Sequence, residues 1–131
     1  MPHRFVEHVA EVEIELENTS EVGIFADALA ALATLVTADE DGEPAAHEIE
    51  LAAPDRALLL HDWLSELVFL ADVKGFVPER ASRLELLDGG LRATVEGRRG
   101  HPRALVKAVT LSGIAVEQEG GRWHGRVVLD V

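Results

Sequence analysis

The chain contains no cysteine, which excludes disulfide bonds and thiolate metal sites. It also lacks a long apolar run. No segment approaches the ~20 apolar residues of a membrane-spanning helix, and Asp72 interrupts the best candidate. Near the start, Arg4 and Glu7 interrupt the chain before the apolar stretch that a signal peptide requires. We therefore expect a cytoplasmic protein with no membrane partner.

Motifs of the common enzyme classes are also missing. The sequence has no phosphate-binding loop, no G-x-S-x-G nucleophile turn and no HExxH zinc motif. The six histidines lack the spacing of metal ligands: His3 and His8 lie five residues apart, and His61 is alone on the polar side of a predicted helix. Ser65 and Ser112 have no neighbouring base that would activate a nucleophile. These absences leave no recognisable catalytic constellation in the sequence.

Positive charge is scarce in the first part of the chain. The formal net charge is −12, and residues 1–55 contain 14 acidic residues but a single base, Arg4. Residues 56–131 are close to neutral. Phosphate groups are repelled by such an acidic half, so we expect no direct binding of nucleic acid. Three explanations of the acidic half remain open: solubility, cation binding and a basic protein partner.

An amphipathic stretch in the middle of the chain predicts the central core helix. Residues 58–74 read LLLHDWLSELVFLADVK, with leucines at helical spacing on one broad apolar face. Trp63, one of only two tryptophans, lies on that face. Asp55 is a candidate N-cap, and Gly75 is a candidate left-handed stop. Packing is the expected role of this helix.

Two strands and a second helix are predicted in the first half of the chain. Residues 10–17 alternate strictly between apolar residues and glutamates, which is typical of a half-buried strand with one acidic side. Residues 21–36 carry apolar residues at helical spacing, and Ser20 is one of three N-cap candidates before them. Residues 37–44 form an acidic turn, after which alternation at residues 47–51 predicts another strand.

The second half of the chain is predicted to form strands joined by tight turns. Asp88-Gly89-Gly90 lies between two apolar segments and is typical of a hairpin turn. Pro78 argues against an interior strand, so residues 76–82 are predicted to be a loop or an edge segment. Residues 97–103 (GRRGHPR) show no periodicity and are predicted to be a loop.

Glycine also interrupts the last part of the chain. Gly113 breaks the apolar, β-branched residues 104–117 and predicts a bulge or bend. Residues 119–122 (EGGR) predict a tight turn before a final strand. With about six or seven strands and two long helices, the expected fold class is α+β: a mixed or antiparallel sheet with the helices packed against it. The length predicts a single domain, 1–131.

Two groups of charged residues are candidates for binding. The first consists of carboxylates: Glu11, the acidic turn, and Asp130 with the terminal carboxylate of Val131. A hard cation such as calcium takes about six to eight oxygen ligands from several segments, and spacing alone leaves ordinary surface carboxylates as the alternative. The second group is basic and is suited either to phosphate or to a solvated hairpin tip. It consists of Arg92, Arg98, Arg99, Arg103 and Lys107.

Three segments taken together resemble the archease family. The opening MPHRFVEHVAEVEI is similar to that family's Phe-x-Glu-His-Thr-Ala-Asp-Val-Gly-Ile. The middle segment LLLHDWLSELVFLAD is similar to its Asp-Trp-Leu-x-Glu-Leu helix. The end, VKAVTLSGIAVEQEGGRWHGRVVLDV, is similar to its Val-Lys-Ala-Val-Thr strand, glycine turn, tryptophan and terminal Leu-Asp-Ile. Order, spacing and total length all fit, and the resemblance spans nearly the whole chain.

The resemblance implies a small α+β protein that is not an enzyme itself but an accessory protein of the GTP-dependent RNA ligase of tRNA splicing and RNA repair. Such proteins promote guanylylation of the ligase and its multiple turnover, and they bind a divalent metal, usually calcium, where the two chain ends meet. By position, the family's opening aspartate corresponds to Glu11 and its terminal aspartate to Asp130, with the carboxylate of Val131 beside them. Lys107 matches the family's strand lysine, and His8 matches the histidine of its opening motif. The resemblance therefore implies that Lys107 and His8 contact the partner.

Departures from the family pattern keep other functions open. Glu11 stands where aspartate is usual, Glu13 replaces a glycine, and Leu111-Ser112 replaces Tyr-His. The extra methylene of Glu11 shifts its carboxylate by about 1 Å or more, enough to rearrange a metal site. A chaperone-like or regulatory binding module without a ligase role is the main alternative. A metal-dependent hydrolase is a further alternative. The absence of a recognisable nucleophile and base argues against it.

Overall fold

The computed structural model of the protein describes residues 11–36, 42–102 and 106–131. Within these ranges the chain forms six strands and two helices, in the order β1, α1, β2, α2, β3, β4, β5, β6. Their bounds are Glu11–Asn18 (β1), Glu21–Leu35 (α1), Pro44–Ala52 (β2), Arg56–Asp72 (α2), Phe76–Leu87 (β3), Gly90–Arg99 (β4), Ala108–Glu119 (β5) and Arg122–Asp130 (β6). The fold class is α+β, as predicted.

The six strands divide into two antiparallel sheets of three strands each, rather than one larger sheet. The strand orders are β1-β6-β5 and β2-β4-β3. Each sheet combines one hairpin from the second half of the chain, β5-β6 or β3-β4, with one strand from the first half. Helix α1 packs on β3 and β1, and helix α2 packs on β5 and β3. Both helices therefore bury their apolar faces against both sheets.

Helix α2 is the core helix that its sequence pattern predicts. The carboxylate of Asp55 accepts a hydrogen bond from the backbone N–H of Leu58 at 2.8 Å, which caps the first turn. Gly75 follows the helix end with a φ of 64°, as a left-handed stop requires. Trp63 is fully buried, and its Nε1 donates to the carbonyl of Phe25 in α1 at 3.0 Å. One side chain thus joins the two helices by packing and by a hydrogen bond.

Helix α1 begins at the predicted cap. The hydroxyl of Ser20 accepts a hydrogen bond from the N–H of Gly23 at 3.1 Å. Ile24, Phe25 and Ala28 are fully buried on its inner face. Apolar residues of helices and strands share one core cluster, and every buried polar side-chain atom of the described residues has a hydrogen-bond partner. None of the described helices combines the length and hydropathy needed to cross a membrane.

The hairpin β3-β4 contains the two local corrections to the sequence-based prediction. Residues 76–82 belong to strand β3; the edge position was right, and the loop alternative was wrong. Pro78 is tolerated because β3 lies at the sheet edge and its register shifts after Pro78. Residues 97–99 belong to β4 rather than to a loop. Gly97 permits this, because a Cβ there would lie 2.0 Å from the carbonyl oxygen of Val77.

Glycines shape the other hairpin as predicted. Gly113 has a φ of 77°, and the β5-β6 register shifts between Thr110 and Ala115, which is the expected bulge. Gly120 and Gly121 have φ values of 59° and 78°, as the tight turn of a two-residue hairpin requires. The turn joins β5 to β6, and β6 is the middle strand of its sheet because it pairs with both β5 and β1.

Replacing Trp63 by alanine is expected to lower the free energy of unfolding by about 3–5 kcal/mol, because it opens a cavity and removes the hydrogen bond to the Phe25 carbonyl. Urea unfolding followed by circular dichroism measures this loss. Phe69→Ala is the control, because Phe69 lies on the same helix but is 43% exposed. Equal losses for the two variants would contradict the central role of Trp63.

Candidate functional site

The sequence-predicted metal ligands Glu11 and Asp130 lie opposite each other in the sheet. Strands β1 and β6 are antiparallel neighbours, and Glu11 and Asp130 are partners in their register. Opposed residues of an antiparallel pair place their side chains on the same face, with Cβ atoms about 4.5–5.5 Å apart. Glu11 is exposed and Asp130 is half-buried. The fold thus brings together two carboxylates that are 119 positions apart in the sequence.

Strand β5 holds Asp130 from its other side. Ala108 is the register partner of Asp130 on β5, and the Thr110 hydroxyl donates to Asp130 Oδ1 at 3.5 Å. The backbone N–H of Lys107 donates to the Asp130 carbonyl at 2.7 Å. Lys107, which is predicted to contact the partner, is exposed. It lies one position before β5, the strand that flanks Asp130. Val131 follows Asp130 directly and is half-buried, and His8 lies outside the described residues.

The oxygen donors at this end of the sheet suit a hard cation but supply only part of a coordination shell. Glu11 and Asp130 contribute carboxylates, and a hard cation takes about six to eight oxygens. In the described ranges, no three or more histidine, aspartate or glutamate side chains gather closely enough to hold a metal by themselves. A cation bound by Glu11, Asp130 and the carboxylate of Val131 would therefore keep open positions for water or for groups of a partner.

The same face of the sheet carries a larger set of carboxylates, which we name the acidic face. It is the solvent side of β1-β6-β5, and its residues lie on the outward positions of the register. Two arginines of β6 lie among these carboxylates. The acidic face contains Glu11, Glu13, Glu15, Glu17, Glu117, Glu119 and Asp130, with Arg122 and Arg126.

The two arginines each bind a glutamate of β1. Arg126 Nε donates to Glu13 Oε1 at 2.5 Å, and Arg122 Nε donates to Glu17 Oε1 at 2.5 Å. The hydrogen bond from Arg126 to Glu13, together with the charges of Glu13 and Glu15, raises the pKa of Arg126 above its ordinary value. Both ion pairs are exposed, so each adds little to stability.

Three arginines of the basic group predicted from the sequence lie on strand β4, and two of these are close to glutamates. Arg92 lies 3.8 Å from Glu50, and Arg98 lies 3.6 Å from Glu79 and donates to the Gly42 carbonyl at 3.0 Å. Arg99 is exposed, and Arg103 lies outside the described residues. Arg92 and Arg98 thus lie beside carboxylates of their own sheet, an arrangement that weakens the case for a phosphate site.

Sequence reasoning missed the role of Arg122 and Arg126. The signal was present, because Arg122, His124 and Arg126 alternate along the final strand. Both arginines form ion pairs because β6 lies next to the glutamates of β1. The residue pattern of one strand does not show which strand it pairs with. His61 also has a contact that its sequence position did not predict. Its Nε2 lies 3.1 Å from the Val109 carbonyl, which links α2 to β5.

The described residues form two antiparallel sheets, and each helix packs on strands of both. The outer side of the β1-β6-β5 sheet is the acidic face. Comparison with known proteins identifies the family. The sequence model of the archease protein family matches residues 3–131. The chain belongs to this family, and family membership supports an accessory or chaperone-like role.

Individual relatives are similar to this chain along nearly its full length. The protein archease of Methanopyrus kandleri is 31% identical over 140 residues, which cover 100% of both chains. That of Pyrobaculum neutrophilum is 31% identical over 139 residues, which cover 98% of this chain and 95% of the relative. The crystal structure of an archease described as a possible chaperone, from Thermotoga maritima, covers 100% of this chain and 98% of its own, with a TM-score of 0.72 at 19% identity. The similarity to this crystal structure shows a shared fold only.

Gly113→Ala is expected to lower the free energy of unfolding by more than about 1 kcal/mol, because a side chain at φ 77° is strained and its Cβ would lie 2.8 Å from the Arg126 guanidinium. Thermal unfolding measures the change. Gly89→Ala is the control, because a Cβ at Gly89 meets no atom within 4 Å. A neutral Gly113→Ala variant would show that the bulge does not need glycine.

Proposed function

We propose that the protein is a non-catalytic accessory factor of an RNA ligase in tRNA splicing or RNA repair, promoting its guanylylation and multiple turnover. The observation that carries this proposal is the register pairing of Glu11 with Asp130 in a chain whose family match spans residues 3–131. On this proposal, Glu11, Asp130 and the carboxylate of Val131 bind a divalent cation, of which calcium is the expected one.

The site supports this role through what its residues hold in place. The hydrogen bonds from Thr110 and from the Lys107 backbone to Asp130 fix the end of β6 against β5. A bound cation would supply positive charge at an otherwise acidic end of the sheet, where partner oxygens can complete its coordination. Lys107 is exposed beside it and suits an anionic group of the partner; His8 is proposed as a second partner contact. The cytoplasm is the expected compartment.

A chaperone-like role without a ligase is the second candidate. The Thermotoga maritima structure is described as that of a possible chaperone. Large apolar side chains are exposed in this protein as well, among them Phe69, Val73 and Leu111. Such surface can contact unfolded clients. Suppression of client aggregation at less than one protein per client, unchanged by Asp130→Asn, would favour this candidate over the first.

Calcium titration by calorimetry tests the cation site directly. The wild type is expected to bind with a Kd on the order of 10⁻⁶ to 10⁻³ M, and Asp130→Asn is expected to weaken binding at least about tenfold, because it removes a charged ligand. Glu48→Gln is the matched control, because it neutralises an exposed strand carboxylate of the other sheet. Equal affinities of wild type and Asp130→Asn would show that the cation binds elsewhere or not at all.

Ligase stimulation tests the function. With the RNA ligase of the same organism, the wild type is expected to increase ligase guanylylation and product formation beyond one turnover. Asp130→Asn is expected to lose this stimulation while its circular dichroism spectrum and thermal midpoint stay close to wild type, because Asp130 lies at the sheet surface. Full stimulation by Asp130→Asn would refute the site assignment, and the absence of stimulation by wild type would refute the function.

A further inference from the structure

A short segment at the start of strand β5 holds the end of β6 that carries Asp130. We name residues 107–110 the flanking segment. The backbone N–H of Lys107 donates to the Asp130 carbonyl at 2.7 Å, and Ala108 is the register partner of Asp130. The Thr110 hydroxyl lies 3.5 Å from Asp130 Oδ1. The orientation of the Asp130 carboxylate therefore depends on where the flanking segment lies.

The Gly113 bulge separates the flanking segment from the rest of the β5-β6 hairpin. Register pairs between the two strands stop at Thr110 and resume at Ala115, on the far side of the bulge. Val109 is buried and anchors the segment to the core. Apolar burial is non-directional, so it sets the depth of the segment rather than its position along the strand. A directional contact is needed to set that position.

His61 of helix α2 makes such a contact with the flanking segment. Its Nε2 lies 3.1 Å from the Val109 carbonyl, which can only accept, so Nε2 is the donor. Its Nδ1 lies 3.0 Å from Asp62 Oδ1, and this second contact holds the orientation of the ring. The His61 side chain is 22% exposed, so both contacts are largely shielded from water. Among the residues that the structure describes, His61 makes the one side-chain hydrogen bond from α2 to β5.

The part of α2 that carries His61 is firmly packed. Leu60, Trp63 and Leu64, its neighbours along the helix, are fully buried. Closely packed interiors leave a helix little freedom to shift. The imidazole ring is therefore held relative to the core, and its hydrogen bond holds the Val109 backbone in turn.

We infer that His61 is a positioning residue of the candidate site. Through the Val109 carbonyl it sets the place of the flanking segment, and thereby the orientation of Asp130 and the position of Lys107. The inference rests on the proposed function for the roles of Asp130 and Lys107. Groups that hold a metal ligand in place tune the affinity of a site without contacting the metal. His61 acts one step further out, because it holds the backbone that holds the ligand.

Two substitutions of His61 test the role of its Nε2. Glutamine places its amide nitrogen close to the position of Nε2, whereas asparagine reaches only as far as Nδ1. His61→Asn is therefore expected to speed amide hydrogen exchange of residues 107–110 about fivefold or more, and His61→Gln less than about twofold. Exchange followed by NMR measures each amide. Residues 115–119, beyond the bulge, are expected to exchange at the wild-type rate in both variants.

A general loss of stability predicts a different exchange pattern. If His61→Asn speeds exchange equally at residues 107–110 and 115–119, the whole sheet has loosened and the inference is overturned. Unchanged exchange at residues 107–110 in His61→Asn would overturn it as well. His47→Asn is the matched control: His47 is also half-buried and its ring centroid lies 4.5 Å from that of Phe76, but in the other sheet. It is expected to change exchange at residues 107–110 less than about twofold.

Calcium titration by calorimetry connects the flanking segment to the proposed cation site. His61→Asn is expected to weaken calcium binding about threefold or more, because the Asp130 carboxylate is then less well oriented, and His61→Gln is expected to keep the wild-type affinity. Equal affinities of wild type and His61→Asn would overturn the inference and leave the cation site standing. If the wild type binds no calcium, the proposed cation site fails, and the exchange pattern alone decides whether His61 positions the segment.

Discussion

The antiparallel pairing of β1 with β6 is the interaction on which the candidate site and the acidic face both depend. It joins the first strand of the fold to the last, with Glu11 opposite Asp130. Every carboxylate of β1 is thereby placed next to a residue of β6. A shift of one residue would turn the glutamates toward the core, which the cost of burying charge forbids. The alternation of the strand therefore enforces the register that builds the site.

Packing in the core stabilises the pairing of β1 with β6. Helix α2 packs on β5, and β5 pairs with β6, so the buried face of the sheet is held by the helix that carries Trp63. The contact of His61 with the Val109 carbonyl joins the helix to β5 close to Thr110, which contacts Asp130. The buried core formed by α2 and β5 thus supports the exposed end of β6 that carries Asp130. Family folds persist under changes of site residues for the same reason.

Much of the architecture could be predicted from the sequence, because local patterns carry it. Both helices, their caps at Ser20 and Asp55, and the Gly113 bulge follow from periodicity and from backbone preferences. The errors at residues 76–82 and 97–99 have one cause. Pairing between neighbouring strands outweighs the local preference of proline and glycine when the position lies at an edge or under a close backbone contact.

The sequence by itself indicated the fold class and most of the elements, since these depend on residue type and periodicity along the chain. The candidate ligands Glu11 and Asp130 came from residue type together with the family resemblance. Only the tertiary structure decided which charges are neighbours. It placed Glu11 beside Asp130, Arg92 and Arg98 beside glutamates of their own sheet, and Arg126 against Glu13. The physical reason is that charge interactions act through space over a few ångströms, whereas sequence patterns report only distance along the chain.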